Sequence, residues 1–205
     1  MTQPALVTLI RHGETPANVD GVWHGSTDTP LTALGQRQAE RVGLHVARTR
    51  PDISALYASP LQRAQRTARP LGERLGLAVG TEDDLREYHL GEWEGVTYRE
   101  LNKTHRLFER MNQDPDWCPG GGESARAVAL RLAGAIQRIA ERHPGERIGI
   151  VTHGGALTLA LGWLVDGDPS AWRRVVSNAS VSELALHPEP VLRAFNQTAH
   201  LHGLA

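Results

Sequence analysis

Short apolar runs separated by longer mixed segments set the rhythm of this chain. Ala5-Leu6-Val7-Thr8-Leu9-Ile10, Ile53-Ser54-Ala55-Leu56-Tyr57 and Ile148-Gly149-Ile150-Val151 are each followed by small or polar residues. Runs rich in Leu, Val and Ile and too short for helices predict strands buried on both faces of a parallel sheet. Gly76-Leu77-Ala78-Val79 predicts a further short strand. Helical stretches are predicted at 32–48, 60–75, 98–111, 124–142 and 155–164. In the first, Thr32 suits the N-cap, and Leu34, Ala39, Val42 and Val46 form an apolar face. Ahead of the second, Ser59 suits the N-cap and Pro60 the first helical position. In the tail, 180–186 and 190–196 alternate and predict two strands joined at His187-Pro188-Glu189-Pro190. Strands alternating with helices predict an α/β three-layer sandwich, a mostly parallel central sheet flanked by helices. One domain over 1–205 is expected, with 88–123 inserted as a lid over a pocket.

Candidate chemistry gathers where these strands end. Arg11-His12-Gly13-Glu14-Thr15 follows the first run, and His153-Gly154-Gly155 follows the strand at 147–152. In open α/β sheets, ligands bind at the carboxyl ends of strands. The helix after His153 also begins with amides and a dipole that favour an anion. Arg63 falls in a first helical turn, where a cation opposes the dipole unless it faces an anion. Each residue also has a plain structural reading. A histidine can sit in a turn, Arg63, Arg66 and Arg69 can form a solvated face, and Glu87, Glu92 and Glu94 can be surface charges. Arg66, Arg69, Glu92 and Glu94 keep that reading. Two histidines in the same strand-end setting, with arginines beside them, point to an anion and an imidazole that acts on it.

The motifs together resemble the histidine phosphatase superfamily, the group related to cofactor-dependent phosphoglycerate mutase. They are Leu9-Ile10-Arg11-His12-Gly13-Glu14-Thr15, Asn18, Gly25 with Asp28-Thr29-Pro30-Leu31-Thr32 and Gly35, and Ser59-Pro60-Leu61-Gln62-Arg63-Ala64 with Thr67-Ala68. Glu87 with Gly91-Glu92-Trp93-Glu94-Gly95, Pro119-Gly120-Gly121-Gly122-Glu123-Ser124 and Val151-Thr152-His153-Gly154-Gly155 complete the series. The resemblance implies a phosphoglycerate mutase-like fold with His12 as a nucleophile that becomes phosphohistidine. It places Arg11, Arg63 and a protonated His153 around the phosphoryl group, and makes Glu87 the general acid, with Tyr88 and Trp93 as apolar surroundings. Asn18 has two open readings, as an amide donor to phosphate and as a loop cap. His24, Gly25 and Gly154 are placed beside the substrate.

The insert is shorter than in the mutases, and Gly91-Glu92-Trp93-Glu94-Gly95 looks like the phosphatase branch. The expected activity is therefore metal-independent phosphomonoester hydrolysis, of histidine acid phosphatase type, on a small phosphorylated metabolite. Mutase-type phosphoryl transfer is the alternative, and a non-catalytic phospho-ligand module is a third. Replacement of His12 separates the last from the others. Trp93, Tyr98, Phe108, Met111, Trp117 and Cys118 can line the insert's pocket or pack it to the body. Arg99, Lys103, Arg106 and Arg110 can recruit a second anionic group.

Composition narrows the partners. Basic and acidic residues number 22 and 23, for a net charge of -1, so no global field draws the chain to nucleic acid or membrane. One cysteine excludes an internal disulfide framework and a zinc CxxC pair. No cofactor or metal is expected, because arginines take the place of a cation. The opening apolar run is too short for a signal core, and a cytoplasmic enzyme is expected. Trp163, Trp172 and the C-terminal strands are candidates for a homodimer interface.

Overall fold

The computed structural model describes residues 5–169 and 174–204. In chain order its elements are β1 (Leu6–Arg11), α1 (Pro16–Asp20), α2 (Ala33–Thr49), β2 (Ile53–Ala58), α3 (Gln62–Leu75) and β3 (Val79–Thr81). There follow α4 (Tyr98–Lys103), α5 (Leu107–Gln113), α6 (Ala125–Glu141), β4 (Arg147–Thr152), α7 (Gly154–Leu161), β5 (Val181–Ala185) and β6 (Val191–Gln197). The described strands form one six-stranded sheet in the order β3-β2-β4-β1-β5-β6. The first four are mutually parallel, and β5 alone runs against the rest. This is the α/β architecture that the alternation of elements predicts.

The pleat divides the core into two layers. Val7 and Leu9 of β1 join Ile148 and Ile150 of β4 on one face, under Leu132, Ile136 and Ile139 of α6 and Leu157 of α7. Ile10 and Val151 face the other way, onto Val42 and Val46 of α2 and Ala64, Ala68 and Leu71 of α3. Alternate residues of one strand thus feed opposite layers, as period-2 geometry requires. Thr32 caps α2 by accepting from the Gly35 amide at 2.9 Å, as its sequence position predicts.

Four boundaries differ from the sequence reading. The strand predicted at Gly76-Leu77-Ala78-Val79 runs over Val79–Thr81 instead, because Gly76 closes α3 in the left-handed region at φ 68°. Helix α3 begins at Gln62, and Leu61 at the N-cap offers no side-chain cap. The Asp28 carboxylate, distant in sequence, accepts from the Gln62 amide at 3.0 Å, while the Ser59 hydroxyl accepts from the Leu61 amide at 3.3 Å just ahead of the helix. The single helix predicted at 98–111 is two, because Arg106 adopts φ 53° between α4 and α5. Helix α7 loosens after Leu161 into a π-helical stretch, Gly162–Asp166. Trp163 packs half-buried against the core, and Trp172 lies outside the described residues. No helix among the described residues is long and apolar enough to cross a membrane.

A charged knot ties the far end of the sheet. Glu183 of β5 is buried, receives Arg147 Nη1 at 2.6 Å and the Thr8 hydroxyl at 3.0 Å, and pairs with Arg50. Removing Glu183 leaves Arg50 without its acidic partner and Arg147 with only the exposed Asp52, at a cost of about 3 kcal/mol. Glu183→Ala is accordingly expected to lower the melting temperature by about 10 °C. Glu183→Gln should cost less, since it keeps an acceptor. Thermal unfolding followed by circular dichroism checks both.

Candidate active site

Strand pairing builds the floor of the site. Arg11 stands opposite Thr152 across the parallel β1–β4 ladder, so the next residues, His12 and His153, emerge side by side. Their ring centroids are 5.1 Å apart. Both rings are buried, His12 4% exposed and His153 0%.

The His12 ring is held by one bond. Nδ1 lies 2.7 Å from the Gly13 carbonyl, which only accepts, so the proton sits on Nδ1. In the neutral ring Nε2 then carries the free lone pair. Burial, and next the charges of Arg11 and Arg63, push the His12 pKa well below the usual 6.5, against an opposing pull from the Gly13 bond. A neutral ring with an unprotonated Nε2 is the nucleophilic form.

Arg63 is fixed on three sides. Its Nη2 donates to the Gly25 carbonyl at 2.7 Å, its Nη1 to the Thr27 carbonyl at 2.8 Å, and its Nε to His153 Nδ1 at 3.2 Å. A guanidinium only donates, so Nδ1 of His153 must accept, and the neutral ring's proton lies on Nε2, facing the Ser59 hydroxyl at 2.7 Å. Burial, then Arg63, His12 and Arg11, hold the His153 pKa well below 6.5. The protonated His153 expected from the motif is therefore corrected to a neutral ring that buttresses Arg63. Arg11 donates through Nη1 to the Val176 carbonyl at 2.5 Å, and its buried Nε has no partner. A Cβ on Gly154 would lie 3.0 Å from that Nε, so a glycine lets the arginine lie across the start of α7.

Glu87 reaches the same helix start. Its Oε2 accepts from the Gly155 amide at 3.0 Å, and its Oε1 from the Ala156 amide at 2.6 Å and the Tyr88 amide at 2.8 Å. Oε1 is thus occupied twice, and Oε2 keeps a site for proton exchange. Arg131 of α6 secures the approach, donating to the carbonyls of Asp84, Arg86 and Glu87 and to both oxygens of Glu123. Trp23, whose Nε1 donates to the Tyr88 carbonyl at 3.1 Å, flanks Gly155 together with Glu87. Trp93, expected in that place, packs on Trp117 and His105 instead.

Arg11, His12, Trp23, Arg63, Glu87, Gly154 and Gly155 line a cleft of about 1250 Å³, and His153 is not among the lining residues. Asn18 acts as the loop cap there. Its Oδ1 receives the Thr15 amide and hydroxyl in a capping box and the Asn178 side chain at 2.9 Å. That leaves Nδ2 as the donor of a pocket-lining residue. His24 and Gly25 also line the cleft, Gly25 with its carbonyl on Arg63. From the insert only Tyr98, Phe108 and Asn112 reach the lining, whereas Met111 is buried in the core and Cys118 is exposed. Arg99, Lys103, Arg106 and Arg110 do not line it; Arg174 does, paired with Asp166 at 2.8 Å.

The model of the histidine phosphatase superfamily (branch 1) matches residues 7–198. The chain belongs to that superfamily. Phosphoglycerate mutase-like protein 4 of Arabidopsis thaliana is 40% identical over 158 residues, covering 75% of this chain and 68% of that protein. Glucosyl-3-phosphoglycerate phosphatase of Mycobacterium tuberculosis (strain ATCC 25618 / H37Rv) is 32% identical over 197 residues, covering 90% and 86%. The solved structure of phosphoserine phosphatase from Entamoeba histolytica, in complex with 3-phosphoglyceric acid, superposes with a TM-score of 0.85. It shares 29% identity and covers 96% of this chain and 99% of that one.

Burial of two neutral histidines makes folding depend on pH in this superfamily member. The unfolded chain binds protons at both positions below about pH 6.5, while the folded chain does not. Their contribution is fully present above 6.5 and is lost as pH falls below it, by up to about 1.4 kcal/mol per pH unit for each ring. The melting temperature is expected to drop between pH 6.5 and 5.5, and to drop less in His12→Asn. Equal slopes in the two proteins would contradict the neutral assignment of His12.

Proposed function

We propose that the protein hydrolyses phosphomonoesters of small metabolites through a phosphohistidine at His12. The observation that carries this reading is the locked tautomer. The Gly13 carbonyl holds the Nδ1 proton of a buried neutral ring and leaves Nε2 as nucleophile, beside two guanidiniums.

Arg11 and Arg63 receive the equatorial phosphoryl oxygens, where planar donor forks and charge stabilise the transferring group. Asn18 Nδ2 and the Gly154 amide are further donors at the same position. Nε2 attacks phosphorus as the bond to the ester oxygen breaks, and Glu87 delivers a proton to the departing alkoxide. Glu87 then takes a proton from water, which attacks the phosphohistidine and releases phosphate and free His12. Fixed cations supply what a metal ion supplies in other phosphoryl transfers, so no metal takes part in these steps. Relatives named as phosphatases support hydrolysis, and the mutase-like name of the Arabidopsis relative favours testing phosphoryl transfer beside it.

Wild-type and His12→Ala protein, in EDTA, are to be incubated with a panel of phosphomonoesters. The panel includes 3-phosphoglycerate with and without 2,3-bisphosphoglycerate, followed by phosphorus NMR. Phosphate release by wild type alone is the expected result. Formation of 2-phosphoglycerate with little free phosphate would make the protein a mutase. Turnover independent of His12 would overturn the mechanism.

A further inference from the structure

Arg63 owes its direction to two carbonyls, those of Gly25 and Thr27, in the segment between α1 and α2. Neither carbonyl belongs to a strand or helix, and beyond the turn bond from the Thr27 amide to the His24 carbonyl at 2.7 Å the segment is held from outside. Glu94 does this from the insert. The Ser26 amide donates to Glu94 Oε1 at 2.8 Å, and the Thr27 amide and hydroxyl donate to Oε2 at 3.1 and 2.9 Å. The two carbonyls thus flank the same two amides that the carboxylate grips. His89 Nδ1, 2.5 Å from Oε1, binds the carboxylate to the insert on its other side.

The carboxylate packs closely against the turn. Gly25 sits at φ +46°, and a Cβ there would stand 2.2 Å from Glu94 Oε1. The Glu94 side chain is only 13% exposed, unlike the solvated charge expected from its place in the sequence. Burial alone would raise its pKa, but the Ser26 amide, His89 and the Thr27 hydroxyl outweigh burial and hold it below the usual carboxylate range. The carboxylate therefore remains the acceptor at working pH.

We propose that Glu94 is a positioning residue for Arg63, setting the turn at 25–27 whose carbonyls aim the guanidinium at the phosphoryl group. Glu94 touches no reacting atom. It links the insert, expected as a lid over the pocket, to the cation that would face the phosphoryl group. The inference rests on the reading that Arg63 binds the phosphoryl group.

A double-mutant cycle tests it, using inorganic phosphate affinity and p-nitrophenyl phosphate turnover in wild type, Glu94→Gln, Arg63→Gln and the double variant. Glu94→Gln is expected to lower kcat and phosphate affinity about tenfold, and to add almost nothing once Arg63 is replaced. A purely structural loss would carry through unchanged into the Arg63→Gln background. Thr27→Val removes one of the three bonds and keeps the carboxylate, so it folds under milder perturbation. It should show a smaller loss, again absent without Arg63. Wild-type kcat and phosphate affinity in Glu94→Gln, or losses that multiply, overturn the proposal. An Arg63→Gln protein that binds phosphate like wild type defeats the underlying reading of Arg63, and the proposal with it.

Discussion

His12→Ala is expected to lower kcat at least about 10⁴-fold while leaving phosphate binding largely in place. The two effects separate because the groups differ. In the proposed mechanism Nε2 of His12 forms the bond to phosphorus, whereas Arg11, Arg63 and Asn18 supply charge and donors to its oxygens. None of those three depends on the His12 side chain for its anchor: Arg11 is held by Val176, Arg63 by Gly25, Thr27 and His153, and Asn18 by Thr15 and Asn178. Steady-state kinetics and titration with inorganic phosphate measure the two properties independently. A variant with wild-type turnover would show that His12 is not the nucleophile. One that neither turns over nor binds phosphate would place His12 in binding instead.

Glu87→Gln is expected to show two different losses. With alkyl phosphates, whose leaving oxygen needs a proton, turnover should fall about 10³-fold. With p-nitrophenyl phosphate the leaving group departs unprotonated, so the first step survives. Water still has to be activated in the second step, and the variant lacks the base. A burst of about one equivalent of p-nitrophenol, followed by slow turnover, is the expected record. The amide nitrogen of Gln faces a donor in either position, the Gly155 amide in place of Oε2 or the Ala156 and Tyr88 amides in place of Oε1, so some disorder of the helix start accompanies the change. Stopped-flow absorbance resolves the burst. Equal losses with both substrates and no burst would take Glu87 out of the proton-transfer role.

The parts of this molecule legible in sequence are those governed by local periodicity and by motif. Buried strands such as Leu6–Arg11 read directly, because a sheet covered on both faces leaves a near-continuous apolar run. The adjacency of His12 and His153 was legible as a shared context, but only strand order makes them neighbours, since β4 rather than β2 lies beside β1. Long-range polar contacts were not legible. Asp28 caps α3 from 34 residues away, and Ser59 meets His153 across the sheet. Trp23, Arg131, Asn178 and Glu94 each act through a partner distant in sequence, and none carries a local signature of doing so. The charge of His153 failed for a related reason. A motif names the residue but not the Arg63 Nε–H aimed at its Nδ1, and that contact decides which nitrogen holds the proton.

The central claim is that phosphate passes through His12. Its most direct test is to mix Glu87→Gln protein with p-nitrophenyl phosphate, quench under alkaline conditions that preserve a phosphorus–nitrogen bond, and locate the phosphate by peptide mass spectrometry and phosphorus NMR. The account predicts about one equivalent of phosphate per chain, attached to Nε2 of His12. Burst turnover with no phosphorylated histidine, or with phosphate on a residue other than His12, would contradict it.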